Sequence, residues 1–160
     1  YDADGNLITV VPPGEPAHDF TYDAVNQTAS DTSPTVTGSA PLAFHYTYNL
    51  DRQLTGIAYL DGTTVSLNYD GGGRLSQVSL PGLGSYLYSY DASTGQMSSI
   101  SAPDNELLSE SWDGFLNTQT QWSGAVSGTV ARSFDSNLQL SAISVDGANT
   151  QQYTYDSNGR

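Results

Sequence analysis

Residues 67–78 read Leu67-Asn68-Tyr69-Asp70-Gly71-Gly72-Gly73-Arg74-Leu75-Ser76-Gln77-Val78, and the fold follows from how often this phrase returns. An aromatic residue followed by Asp or Asn stands at Tyr1-Asp2, Tyr22-Asp23, Tyr48-Asn49, Tyr69-Asp70, Tyr90-Asp91, Trp112-Asp113, Phe134-Asp135 and Tyr155-Asp156. Successive marks lie 21, 26, 21, 21, 22, 22 and 21 residues apart. A near-constant period of this length is the signature of a repeat array in which one supersecondary unit recurs. The whole of residues 1–160 reads as one such array, with repeats starting at 1, 22, 48, 69, 90, 112 and 134 and an eighth begun at 155. Because it begins and ends on the motif, it reads as an excerpt of a longer protein.

Each repeat carries two turns and two extended runs. Asp opens the first turn, since its carboxylate can accept a hydrogen bond from a backbone N–H two residues on. Gly or Asn follows where a positive φ is needed, as at Gly5, Gly73 and Gly159, with Gly95 one residue later in the fifth repeat. Next comes Leu (Leu7, Leu54, Leu75, Leu140), and three residues on another aliphatic (Val10, Ile57, Val78, Ile100, Ile143). A step of three breaks strict alternation and predicts a bulge or local twist between the two. The second turn reads Pro12-Pro13-Gly14, Ser33-Pro34, Asp61-Gly62, Pro81-Gly82, Pro103-Asp104-Asn105, Ser123-Gly124 and Asp146-Gly147. The run back to the next aromatic alternates, as in Leu42, Phe44, Tyr46, Tyr48, or Tyr86, Tyr88, Tyr90, or Tyr153, Tyr155, and period two is a half-buried strand.

The prediction is an all-β chain of tandem hairpins of about 21 residues, stacked side by side into one continuous antiparallel sheet with essentially no helix. Tyr22, Tyr48, Tyr69, Tyr90, Trp112 and Phe134 are expected to stack in a row on one face, with Tyr1 and Tyr155 more exposed. Repeats two and six fit least well. The second is five residues longer, through the Ser30–Ser39 stretch, which is expected to protrude as a loop. Thr28 and Thr118 stand where Leu is usual, and Asp31 and Gln121 where the aliphatic is, so both repeats are expected to pack poorly.

Composition narrows the function. Seventeen acidic residues against four Arg, with no Lys, give a net charge of −13. Nothing here can neutralise a run of phosphates, so nucleic acid is not an expected partner. No apolar run approaches the ~20 residues that a membrane-spanning helix needs, and membrane insertion is not expected either. The absence of Cys removes disulfides, thiolate metal sites and Cys nucleophiles together, and fits an oxidising exterior.

The phrase Tyr-x-Tyr-Asp-x-x-Gly-x-Leu on this period resembles the YD-repeat family, which includes Rhs proteins, teneurins and insecticidal toxin-complex shells. It stands here as Tyr46-Thr47-Tyr48-Asn49, Leu67-Asn68-Tyr69-Asp70-Gly71-Gly72-Gly73-Arg74-Leu75, Tyr88-Ser89-Tyr90-Asp91 and Tyr153-Thr154-Tyr155-Asp156-Ser157-Asn158-Gly159-Arg160. Asn49 for Asp, Trp112 and Phe134 for Tyr, and the extra turn residue before Gly95 are conservative departures. The resemblance implies a spiral β-sheet wound into a hollow, solenoid-like shell, secreted or at the cell surface, that encloses a toxin domain or belongs to an adhesion receptor. The toxin-type relatives carry a self-cleaving segment with an Asp-Pro pair; no Asp-Pro occurs here, so neither protease nor toxin is expected in this stretch.

No catalytic residue or cofactor is expected. His18, beside Asp19 in a Pro-rich stretch, reads as a loop residue, and His45 as the outward face of a strand. Nearly every Asp falls in a turn slot, which explains it without acid–base chemistry. Asp2, Asp4 and Asn6 make a weak calcium-loop candidate that lacks the closing Glu. Gly71-Gly72-Gly73-Arg74 is no phosphate loop, because neither Lys-Ser/Thr nor a helix follows. Asn26-Gln27-Thr28 fits the glycosylation pattern. The Tyr rows could stack on sugars, but their inward spacing favours core packing. The expected partners are flanking repeats of the same chain or further copies joined through edge strands, and beyond those an enclosed toxin domain or surface glycans. The alternative to a shell wall is an extracellular, filament-forming or adhesive module.

Overall fold

The period-two runs become strands, and the Gly-, Asn- and Asp-rich stretches between them become turns. The computed structural model describes residues 1–35 and 41–160, which divide into two compact units, Tyr1–Gly84 and Ser85–Arg160. The first contains β1 (Thr9–Val10), β2 (His18–Tyr22), β3 (Thr28–Thr32), β4 (Ala43–Tyr48), β5 (Leu54–Tyr59), β6 (Thr64–Tyr69) and β7 (Leu75–Leu80). The second holds β8 (Gly84–Tyr90, all but its first residue), β9 (Met97–Ser101), β10 (Leu107–Asp113), β11 (Leu116–Ser123), β12 (Gly128–Phe134), β13 (Leu140–Val145) and β14 (Ala148–Gln152). Within each unit the strands pair antiparallel with their neighbours in sequence. No described residue is helical. The fold class is therefore the all-β hairpin array that the repeat predicts.

The step of three after each motif Leu has a simple cause. Thr47 pairs with Gly56 but the next residue, Tyr48, pairs with Leu54, so Thr55 is an extra residue on β5. The bulge returns Ile57, opposite Tyr46, to the face that Leu54 already occupies. The same register shift precedes Tyr22, Tyr69, Tyr90, Trp112 and Phe134.

Several expectations need correction. Strand β1 is only two residues long. Tyr153 and Tyr155 lie beyond β14, which ends at Gln152, although the Tyr153 amide still donates to the Ser141 carbonyl (2.9 Å). Ser30 is not in a protruding loop; Ser30–Thr32 close β3, and part of the expected loop, residues 36–40, lies outside the described residues. His18 is the first residue of β2 rather than a loop residue, whereas His45 is exposed on β4 as expected.

In neither unit does a second layer cover the sheet. Described strands contact only sequence neighbours, and among the described residues no large hydrophobic side chain is fully buried. Side chains are half-covered by others on the same face of adjacent strands, which is the only cover a single layer provides. Gly128 shows how close this packing is: a Cβ there would run into the Trp122 ring, so the indole lies against the backbone of β12. Replacing Gly128 with Ala must lift that ring, at a cost of roughly 1–3 kcal/mol by comparison with overpacked sites. Gly71→Ala, where a Cβ meets nothing within 4 Å, is expected to be neutral or slightly stabilising. Urea unfolding of the two variants measures the contrast.

Candidate functional site

The chemistry of this chain is concentrated along the line of aromatic–Asp turns. In six motifs one side-chain oxygen closes the turn from inside. Asp2 Oδ1 accepts the amides of Asp4 (3.0 Å) and Asn6 (2.8 Å), and Asp70 Oδ1 those of Gly72 and Arg74 (both 2.9 Å). Asp23, Asn49, Asp135 and Asp156 repeat the pattern two and four residues on. In the longer turn of the fifth repeat, Asp91 Oδ1 accepts the amides and the hydroxyls of Ser93 and Thr94. The left-handed position holds Gly5, Asn26, Gly73, Gly95 and Gly159, but also Arg52 and Leu138, each at φ 63°. An ordinary side chain there costs roughly 1–2 kcal/mol, so the closing hydrogen bonds outweigh that strain and the Gly/Asn expectation fails at these two.

Asp113 departs altogether. It is the last residue of β10 and pairs with Leu116 across a two-residue turn at Gly114-Phe115, with Gly114 at φ 57°. This shorter turn moves the register by one. Asn117, not Thr118, faces Trp112, and Thr120, not Gln121, faces Glu110.

What joins one repeat to the next was not anticipated from the sequence. The motif aromatic donates a hydrogen bond to the main-chain carbonyl at the Leu position of the preceding repeat. Tyr22 bonds the Leu7 carbonyl (3.0 Å), Tyr48 that of Thr28 (2.9 Å), Tyr69 that of Leu54 (2.8 Å) and Tyr155 that of Leu140 (2.8 Å). Trp112 keeps the link through its indole N–H to Met97 (2.9 Å). Phe134 has no donor. Ring contacts between described residues are His18–Phe20 and Phe44–Tyr59. Tyr1 is 81% exposed, but Tyr155 at 38% is no more exposed than Trp112.

A second line of bonds runs through the residue just before the Leu position. Gln27, Gln53 and Gln96 donate side-chain amides to the Arg52, Gly73 and Gly114 carbonyls of the following turn (3.1, 2.6 and 2.6 Å). Asn6 reaches the Asn26 side chain in the same way (2.9 Å). The recurrence of Asn or Gln at 6, 27, 53, 96 and 139 was the available signal. Arg74 uses this position differently, binding Asp70 Oδ2 through Nε (2.8 Å) and an ion pair (2.7 Å).

The misfit residues of repeats two and six form polar sets. His18 Nε2 lies 2.5 Å from Asp31 Oδ1 while its ring stacks on Phe20. Glu110, Asn117, Thr120 and Arg132 share hydrogen bonds across β10, β11 and β12. No hydroxyl nucleophile is hydrogen-bonded to either imidazole among the described residues, so no triad is assembled around them. At the calcium candidate, the Asp2 carboxylate accepts N–H donors from Asp4 and Asn6, including Asn6 Nδ2 on Oδ2 (3.0 Å). Among the described residues no three His, Cys, Asp or Glu side chains gather to hold a metal. Asn26 is exposed, but its side-chain oxygen is engaged by Asn6.

The turn bonds act on the carboxyl groups. The side-chain amide of Asn6 lowers Asp2, the Thr63 hydroxyl lowers Asp61, the Arg74 guanidinium lowers Asp70, and backbone amides led by that of Arg160 lower Asp156. The Ser93 hydroxyl and the other donors around Asp91 bring it down to about 2.

Residues 1–159 match the family model Teneurin YD-shell. No curated protein matches the chain. Solved structures of similar fold include crystal structures of TcdB2-TccC3-Cdc42 (TM-score 0.68, 13% identity, covering 91% of this chain and 9% of that one) and TcdB2-TccC3-TEV (0.68, 14%, 89% and 9%). A mutant Photorhabdus luminescens Tc holotoxin pore matches similarly (0.68, 14%, 91% and 9%). The chain thus spans 9% of the length of these structures' chains, and the likeness is one of fold.

Two outcomes are expected. Tyr69→Phe removes only the hydroxyl and leaves the Leu54 carbonyl without its side-chain donor, at a cost of about 1 kcal/mol in urea unfolding; Phe134→Leu has no such bond to lose. Carboxyls held below their unfolded value of about 3.9 stabilise the fold above that pH, and the contribution is lost as pH falls through the folded-state values. Circular dichroism should therefore show stability falling from about pH 4 downward, with Asp91 the last of these groups to protonate, near 2. Asp91→Asn keeps an acceptor, as Asn49 does naturally, and should flatten the lowest part of that curve.

Proposed function

The chain belongs to the Teneurin YD-shell family, and from that premise we propose that it is a non-catalytic wall segment of a β-shell. With flanking YD repeats it encloses or displays another domain of a large secreted or surface protein. The observation that carries this reading is the recurring bond from Tyr22, Tyr48, Tyr69, Trp112 and Tyr155 to a carbonyl of the preceding repeat. A wall gains stability along the array when its units lock onto their neighbours by a recurring contact. The hydroxyls and indole N–H that would otherwise serve a ligand are committed to that contact. The motif carboxylates are committed in the same way to their own turns, which leaves the line of turns a scaffold rather than a reactive site.

Limited proteolysis of the intact parent protein tests the proposal. The enclosed domain is expected to resist protease until the shell is unfolded, and the same domain made alone is expected to be cut freely. Equal cleavage rates would sink the enclosure reading. Filaments of repeating hairpins without enclosed mass, seen by electron microscopy, would favour the fibre instead.

A further inference from the structure

The apolar row of the first unit is interrupted by one carboxylate. Asp31 faces Phe20 across β2 and β3, the register position that Ile57 fills opposite Tyr46 and Val78 opposite Leu67. It also faces Phe44 on β4. A charge in an aliphatic slot carries a desolvation cost, and the surroundings suggest what offsets it. Asp31 opens into a groove of about 390 Å³ whose other walls include Phe20, Tyr22, Tyr46 and Tyr48.

Three of those walls are held in place before anything binds. Tyr22 and Tyr48 are anchored by their hydroxyls to the Leu7 and Thr28 carbonyls (3.0 and 2.9 Å). Phe20 is stacked on His18 with ring centroids 4.5 Å apart. Asp31 is oriented through Oδ1 by His18, and its Oδ2 has no partner among the described residues. Burial holds the Tyr46 and Tyr48 phenols above their ordinary range, and the Asp31 charge adds to the effect at Tyr46, which places that carboxylate within electrostatic reach of the ring.

Aromatic rings around a single carboxylate match one ligand class. A hard metal ion requires several oxygens, and an anion would be repelled by Asp31 and by the chain's net charge of −13. A bulky organic cation is attracted by the negative faces of the rings and loses little hydration on entering. We propose that this groove binds a quaternary ammonium group of about the size of choline, with Phe20, Tyr22, Tyr46 and Tyr48 as its walls and Asp31 as its counter-ion. His18 already holds Asp31 Oδ1, so a bound cation shares that carboxylate with the imidazole. The proposal is independent of the shell reading, since it concerns one face of the first unit.

Calorimetric titration of the 160-residue chain with tetramethylammonium and choline tests it, against potassium and the uncharged isostere 3,3-dimethyl-1-butanol. The cations are expected to bind at least about fivefold more tightly than the isostere, with no heat from potassium. Asp31→Asn and Tyr46→Leu should each weaken choline by a similar factor, and Asp51→Asn, outside the groove, should leave it unchanged. Circular dichroism confirms folding of each variant, and Tyr46→Leu decides if Asp31→Asn does not fold. Phosphatidylcholine vesicles distinguish the source: Asp31-dependent co-sedimentation indicates a lipid headgroup, and its absence beside choline binding indicates a free cation. Absence of cation binding, equal binding of the isostere, or unchanged affinity in the folded variants overturns the proposal.

Discussion

The structure depends on a hydrogen bond from an aromatic side chain to the main-chain carbonyl of the repeat before it. Among the described residues of each unit no second layer covers the strands, so the usual source of stability, a face closed off from water, is lacking. Lateral contact between hairpins must supply what a core supplies elsewhere. The ring adds apolar contact, and its O–H or N–H adds direction, fixing how one hairpin sits on the next. Trp112 makes the point from the chemistry: indole differs from phenol in shape but retains a donor, and the bond to Met97 persists.

The Asp at the next position acts within the repeat rather than between repeats. Its carboxylate gathers two amides of the turn, and the strength of that arrangement is visible at Arg52 and Leu138, which are held in left-handed geometry without the help of Gly. Asn49 performs the same closure without a charge, so the motif requires an acceptor oxygen and not an anion. The residue before the Leu position then ties the finished turn to the following one through a side-chain amide. Three positions of the motif thus serve three separate bonds. The bulge that follows lets Leu and the next aliphatic share a face.

Departures from the motif are filled by partners rather than left loose. Where the second repeat offers Asp31 in an aliphatic slot, His18 comes from the adjacent strand to meet it. Where the sixth repeat loses both Leu and the aliphatic, Glu110, Asn117, Thr120 and Arg132 satisfy one another. Polar groups on a half-covered face keep some access to water, and mutual hydrogen bonding removes most of the remaining penalty. This explains how a repeat array tolerates imperfect copies without breaking the sheet.

The 21-residue period, the alternation before each aromatic and the turn residues determined the all-β hairpin array by themselves, because strand periodicity and turn chemistry are local properties of the chain. Even the bulge was legible, as a step of three between Leu54 and Ile57. Register in the sixth repeat was not, since a two-residue turn at Gly114-Phe115 and a longer turn both suit the same residues until Trp112 and Asn117 are paired. Nor could the sequence show that a Tyr hydroxyl finds a carbonyl 15 residues earlier, or that His18 reaches Asp31, because both depend on which strands become neighbours. Tertiary structure decided these contacts, for a hydrogen bond has a length and a direction that spacing along a chain does not contain.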